Sequence, residues 1–159
     1  MSVDEKKSVE EKKKAAAAAA LQAAHEHLGE ARDGVVQSVV DARHVKASWQ
    51  GIADELGIAQ PNAIRKFKPS LDEREPEQRW ENEADPVTPA LVAVRRAHRA
   101  LADAERDEVR EVAGARSVGV TWGVIAEAVG MKEPNAIAKY KPMLEEKRIF
   151  TVREDARPG

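Results

Sequence analysis

The chain has no cysteine. Disulfides and thiolate metal sites are therefore excluded, and a reducing cytoplasm suits the composition. Aromatic residues are only 4% and charged residues 34% of the chain, which fits a well-solvated helical protein better than one with a thick core. No stretch approaches the ~20 consecutive apolar residues of a membrane span. The opening "MSVDEKKSVEEKKK" is charged, and the "AAAAAALQAAHEHLGE" that follows reads as alanine helix, not as the apolar core of a signal peptide. No glycine-rich phosphate loop and no nucleophile motif is present. His25, His27, His44 and His98 are not completed by other ligands at metal spacing. The expectation is a protein that is not an enzyme, with no cofactor, no metal, no small-molecule ligand and no membrane partner.

Excess positive charge is also lacking, since the net charge is −2. The distribution matters more than the total. Residues 43–68 hold five Lys/Arg against two acids, and residues 116–141 hold four against two. The stretch "DEREPEQRWENEADP" (72–86) holds seven acids against two arginines and masks these basic segments.

What is present is a repeated phrase. Residues 60–69 read "QPNAIRKFKP" and residues 133–142 read "EPNAIAKYKP". Aligned without a gap, 17–73 and 90–146 share 24 identities in 57 positions, which marks a tandem duplication. The divisions are a charged N-terminal tail or helix extension (1–16), a first repeat (17–73), an acidic linker (74–89), a second repeat (90–146) and a C-terminal tail (147–159).

Each repeat opens with a helical pattern. Ala24/Ala97, Leu28/Leu101, Ala31/Ala104, Val39/Val112 and Ala42/Ala115 recur at spacings that mark one helical face. Long helices are expected from about 5 to 42 and from about 88 to 113. Gly29 and Gly34 correspond to Ala102 and Asp107, so neither is a required turn. Val35 corresponds to Glu108, which makes Val35 peripheral or differently used.

Ser48 and Thr121 then stand where a helix N-cap belongs. The short helices "WQGIADEL" and "WGVIAEAV" follow, and Gly57 and Gly130 suit left-handed C-caps. Pro61 and Pro134 start a third helix, and Pro69 and Pro142 are expected to stop it after two turns. Ala53 and Ala126, four residues before those glycines, supply the small residue that a steep helix crossing needs. Ile52/Ile125, Leu56/Val129 and Ile58/Met131 supply the surrounding apolar contacts.

"SWQGIADELGIAQPNAIRKF" and "TWGVIAEAVGMKEPNAIAKY" resemble the helix-turn-helix common in small DNA-binding proteins of actinobacteria and their phages. In that family the motif commonly follows a long helix ending Ala-Arg, as at Ala42-Arg43 and Ala115-Arg116. The resemblance covers both copies and implies an all-α fold, with two tandem long-helix plus helix-turn-helix repeats joined by the acidic linker. It departs from the family at "PNAI", where polar residues are more usual.

A helical wheel places Ala63, Ile64 and Phe67 inward. Gln60, Asn62, Arg65 and Lys66 are left outward, with Lys68 on the flank. The second copy offers Asn135, Lys139 and Lys141, with Glu133 and Ala138 in place of Gln60 and Arg65. Asn suits adenine and Arg suits guanine in a major groove, while lysines neutralise phosphate. Arg43 and Arg116 are further phosphate candidates, with a solvated helix end as the alternative. Trp49 and Trp122 are expected to be core anchors.

The expected function is a non-enzymatic, cytoplasmic and nucleoid-associated DNA-binding protein. It would regulate transcription by reading two half-sites of double-stranded DNA. Pairing of the long helices into a homodimer is an open arrangement. The alternatives are a helical protein-interaction module contacting transcription machinery, or a nucleoid-like organiser with little sequence preference. Trp80 either pins the linker to a domain or marks a partner site, and the β-prone run Ile149–Val152 lacks a hairpin partner.

Overall fold

A computed structural model describes residues 2–155 of the chain, with side chains through residue 145. Six helices follow one another: α1 (Val3–His44), α2 (Trp49–Leu56), α3 (Gln60–Glu73), α4 (Val87–Ser117), α5 (Trp122–Ala128) and α6 (Glu133–Asp155). No strand occurs among the described residues, and the backbone of the β-prone run 149–152 lies within α6. None of the described helices is long and apolar enough to cross a membrane.

The helix starts follow side-chain chemistry. Ser48 sits in extended backbone, and its Oγ accepts from the Gly51 amide at 3.0 Å. Thr121 does the same for the Val124 amide at 3.4 Å. Asp85 accepts from the Val87 and Thr88 amides ahead of α4. The Thr88 hydroxyl donates to the same carboxylate and, as the main cause, holds its pKa below the ordinary carboxylate value.

The turns follow backbone chemistry. Gly57 and Gly130 adopt φ of 67° and 65°, a region that costs a side-chain-bearing residue about 1 kcal/mol. The amides after them, of Ile58 and Met131, close the turns on the Ala53 and Ala126 carbonyls at 3.1 and 2.9 Å.

The two prolines behave differently from the sequence expectation. Pro69 lies inside α3 and Pro142 inside α6, so neither stops its helix. Each ring removes one amide, leaving the carbonyl four residues back, at Arg65 or Ala138, without its helical donor. Both of those residues are exposed, so solvent can serve the freed carbonyls. Beyond Pro142, Leu144 packs on an apolar core and draws the helix onward.

The chain forms two compact units, and they divide it differently from the sequence repeats. Unit 1 takes residues 1–27 and 105–159, and unit 2 takes residues 28–104. Both long helices are therefore divided, each giving one part to each unit.

In unit 2, Val35, Val39 and Ala42 of α1 share a core with Ala90 and Val94 of α4, and with Ala47, Ile52, Leu56 and Phe67. A smaller cluster joins Leu28 and Ala31 to Ala104. Rising numbers on α1 meet falling numbers on α4, so the two stretches run antiparallel within this unit. In unit 1, Leu21 of α1 shares a core with Val112, Ala115, Val120, Ile125, Ala126, Val129, Ala136 and Tyr140.

Segment 74–86 of unit 2 is held against α1. Arg74 pairs with Asp33 at 2.6 Å. Asp41 accepts from the Glu77 amide at 2.9 Å, and Gln37 donates to the Glu75 carbonyl at 2.8 Å. Trp80 packs against the unit 2 core, which corresponds to the pinning role and not to an exposed partner site.

Candidate nucleic-acid interface

The residues singled out in the sequence lie on the helix that follows each glycine turn. In α3, Ala63 and Phe67 are buried and Ile64 is half-buried. These residues fix the helix on α2 and turn the opposite side outward. Gln60, Asn62, Arg65, Lys66 and Lys68 are all exposed. In α6, Ala136 and Tyr140 are buried and Ile137 is half-buried, leaving Asn135, Ala138, Lys139 and Lys141 exposed. The structure thus gathers five of the named residues on α3 and three on α6.

The two helix starts differ in charge. The first turn of α3 has no acidic residue, so the positive end of its dipole is unopposed. The first turn of α6 carries Glu133. Its carboxylate lies 3.5 Å from where a Cβ on Gly123 would stand. Gln50 occupies the position in unit 2 that corresponds to Gly123, and its amide bonds instead to Asp54 at 2.7 Å. The Glu133 carboxylate thus lies beside the first turn of α5, at a position where unit 2 carries the Gln50 side chain.

Arg43 and Arg116 have definite positions. Arg43 donates to the Ala47 carbonyl at 2.8 Å and lies 4.8 Å from the Trp49 ring centre. Arg116 donates to the Val120 carbonyl at 2.9 Å and lies 4.9 Å from the Trp122 ring centre. Both guanidiniums brace the turn between a long helix and the next short one, with cation–π contact to the half-buried indole. Trp49 and Trp122 pack against the cores, as expected of anchors. Ile58, expected among the apolar contacts, is instead exposed at the turn.

Lysines beside the aromatic residues are also engaged. Lys66 lies 5.4 Å from the Phe67 ring centre and Lys139 lies 5.0 Å from that of Tyr140.

The sequence reading missed a polar cluster in unit 1. Glu108 is 2% exposed, and the Tyr140 hydroxyl donates to it. His25 Nδ1 lies 2.8 Å from its other oxygen, and Lys139 Nζ lies 4.0 Å from the first. Val35, the counterpart of Glu108, is 4% exposed and belongs to the unit 2 core. It is differently used but not peripheral. The signal was available in the paired changes Val35 to Glu108 and Phe67 to Tyr140. A buried carboxylate needs a donor, and a tyrosine hydroxyl supplies one.

Among the described residues, no group of three or more His, Asp and Glu side chains could hold a metal ion. Comparison with protein-family models, curated proteins and solved structures finds no match for the chain.

Proposed function

We propose that this chain is a non-enzymatic DNA-binding protein, a transcriptional regulator with two helix-turn-helix units descended from a tandem duplication. The duplication reading is supported by bonds that recur at corresponding positions, including the Ser48 and Thr121 caps and the Arg43 and Arg116 braces. The observation that carries the DNA reading is the division of α3: Ala63 and Phe67 are held inside while Gln60, Asn62, Arg65, Lys66 and Lys68 face solvent together.

That division exposes donors and acceptors to base edges and ammonium groups to phosphate. Asn62 and Arg65 are assigned to base contact, and Lys66 and Lys68 to phosphate. In unit 1, Asn135, Lys139 and Lys141 have the corresponding roles, weakened by Glu133 and by Ala138. Unit 2 is the stronger reader.

Random-site selection followed by duplex titration at several salt concentrations tests the reading. Asn62→Ala and Arg65→Ala should each weaken binding to the selected site by about 1–3 kcal/mol. Absence of salt-dependent duplex binding at micromolar protein would sink the proposal. A duplex affinity independent of sequence would instead identify a nucleoid-like organiser.

A second reading assigns unit 1 to a protein partner. Val124 and Met143 are large apolar residues exposed on α5 and α6 of that unit. The double variant Glu133→Gln/Ala138→Arg separates the two readings. Tighter duplex binding indicates a weak DNA reader, whereas unchanged binding indicates that α6 faces something else.

A further inference from the structure

The turn before each first short helix shows an exchange of charge between elements. In unit 2, Lys46 occupies this turn in left-handed backbone, with φ of 66°. Its amide donates to the Arg43 carbonyl at 3.0 Å, and the next amide, of Ala47, donates to Ala42 at 3.0 Å. In unit 1 the corresponding residue is Gly119, with φ of 89° and the same pair of bonds, to Arg116 at 3.1 Å and from Val120 to Ala115 at 2.9 Å. The glycine has no charge to offer.

Lys14 of α1 stands over that glycine. Its Cε lies 3.3 Å, and its Nζ 3.7 Å, from where a Cβ on Gly119 would be. An ammonium from the long helix thus lies beside the point at which a side chain of the turn would begin. Lys13 and Glu10 line the same open cleft, together with Ser117 and Val118. In unit 2 the cleft at the turn is lined by Lys46, Glu83 and Pro86, among others. Each cleft thus carries an acid and a lysine, but the lysine comes from the turn itself in unit 2 and from α1 in unit 1. Neither Lys14 nor Lys46 forms an ion pair among the described residues.

In both units the turn leads within two residues to the N-cap of α2 or α5. In unit 1, the start of α5 in turn faces Glu133 at the start of α6. In unit 1 the lysine therefore stands on the same turn-to-α5 segment that meets the start of α6.

We infer that Lys46 in unit 2 and Lys14 in unit 1 are equivalent phosphate-binding residues, which widen each reading surface from the third helix to the preceding turn. This rests on the DNA reading proposed above. An exposed lysine without an ion-paired carboxylate can displace a condensed cation from a backbone phosphate of duplex DNA. Such a contact sets register and affinity without reading a base.

The test is titration of the full chain with its selected duplex between low and moderate salt. Lys46→Ala and Lys14→Ala should each weaken binding about 3- to 10-fold at low salt and lower the slope of log affinity against log salt by about 0.9. The loss should be uniform across duplex sequences, unlike that of Asn62→Ala. Lys12→Ala removes the same charge from the same helix, two residues from Lys14 and on another side of α1, and should leave both quantities near those of the parent. Equal effects from Lys12→Ala and Lys14→Ala would overturn the inference by showing a diffuse charge effect. A parent that binds duplex with salt dependence, and keeps its affinity and slope in both lysine variants, would overturn the inference and leave the DNA reading intact. A parent that does not bind duplex overturns both.

Discussion

Unit 2 closes its core on Val35 and Phe67, whereas unit 1 closes the corresponding place on Glu108 and Tyr140. The helices around them carry the same caps, turns and arginine braces. An apolar pair contributes through area removed from water. The polar pair contributes only while complete, because a buried carboxylate that loses its donor carries its desolvation cost uncompensated. The two units therefore fail in different ways: one by opening a cavity, the other by stranding a charge.

The comparison is broken most strongly at Phe67. Phe67→Ala should cost about 3–5 kcal/mol through lost contact and the cavity left behind. Amide hydrogen exchange should show α2 and α3 losing protection before α5 and α6. Next comes Tyr140→Phe, a change of one oxygen atom, which should cost about 1.5–3 kcal/mol because Glu108 loses a donor. Here denaturant titration should show the loss, and exchange should place it in α5 and α6.

A smaller effect is expected at the arginine braces. Lysine keeps the charge but loses the planar stack on tryptophan and the fixed donor geometry. Arg43→Lys should lower stability by about 1 kcal/mol, and Arg116→Lys by less, since Arg43 is half-buried and Arg116 is exposed. Thermal melts of both variants check that order.

The comparison is sharpened by transplanting one unit's solution into the other. Glu108→Val with Tyr140→Phe recreates the Val35/Phe67 pair and should lie within about 1 kcal/mol of the parent, well above Tyr140→Phe alone. His25 is 37% exposed at its side chain and can turn to solvent. A double variant as unstable as the sum of its parts would show that unit 1 depends on polar closure.

The smallest effect expected is at Asp85. Its folded pKa is depressed, chiefly by the Thr88 hydroxyl. The stabilisation is present above the ordinary carboxylate pKa and is lost as pH falls through the depressed value. Asp85→Asn keeps an oxygen to cap α4 but removes the titration, so its stability should change less than that of the parent as pH falls in acid.

These contrasts follow the line between what was legible in the sequence and what was not. Ser48, Thr121, Gly57 and Gly130 act within a few residues, and local chemistry alone assigns their roles. The wheel placed Ala63 and Phe67 inward because eight residues, about two turns, are enough to orient a helix. The role of Glu108 was hidden because its partners lie 83 residues away at His25 and 32 residues away at Tyr140. Likewise, Pro142 read as a stop because the wheel says nothing of the packing of Leu144 that carries α6 onward. Arg43 and Arg116 read as phosphate candidates or solvated helix-end cations, since the carbonyls that bind them appear only once the turn has formed.

The partition of the long helices has a consequence for proteolysis. A single cut near Trp80 would separate α1–α3 from α4–α6. It would not release two finished bodies, because each unit draws core residues from both sides of the cut. Each fragment would retain two half-cores with exposed apolar faces. The nicked protein should hold together as a reassembled pair of fragments, and either fragment made alone should search for its complement or a second copy of itself.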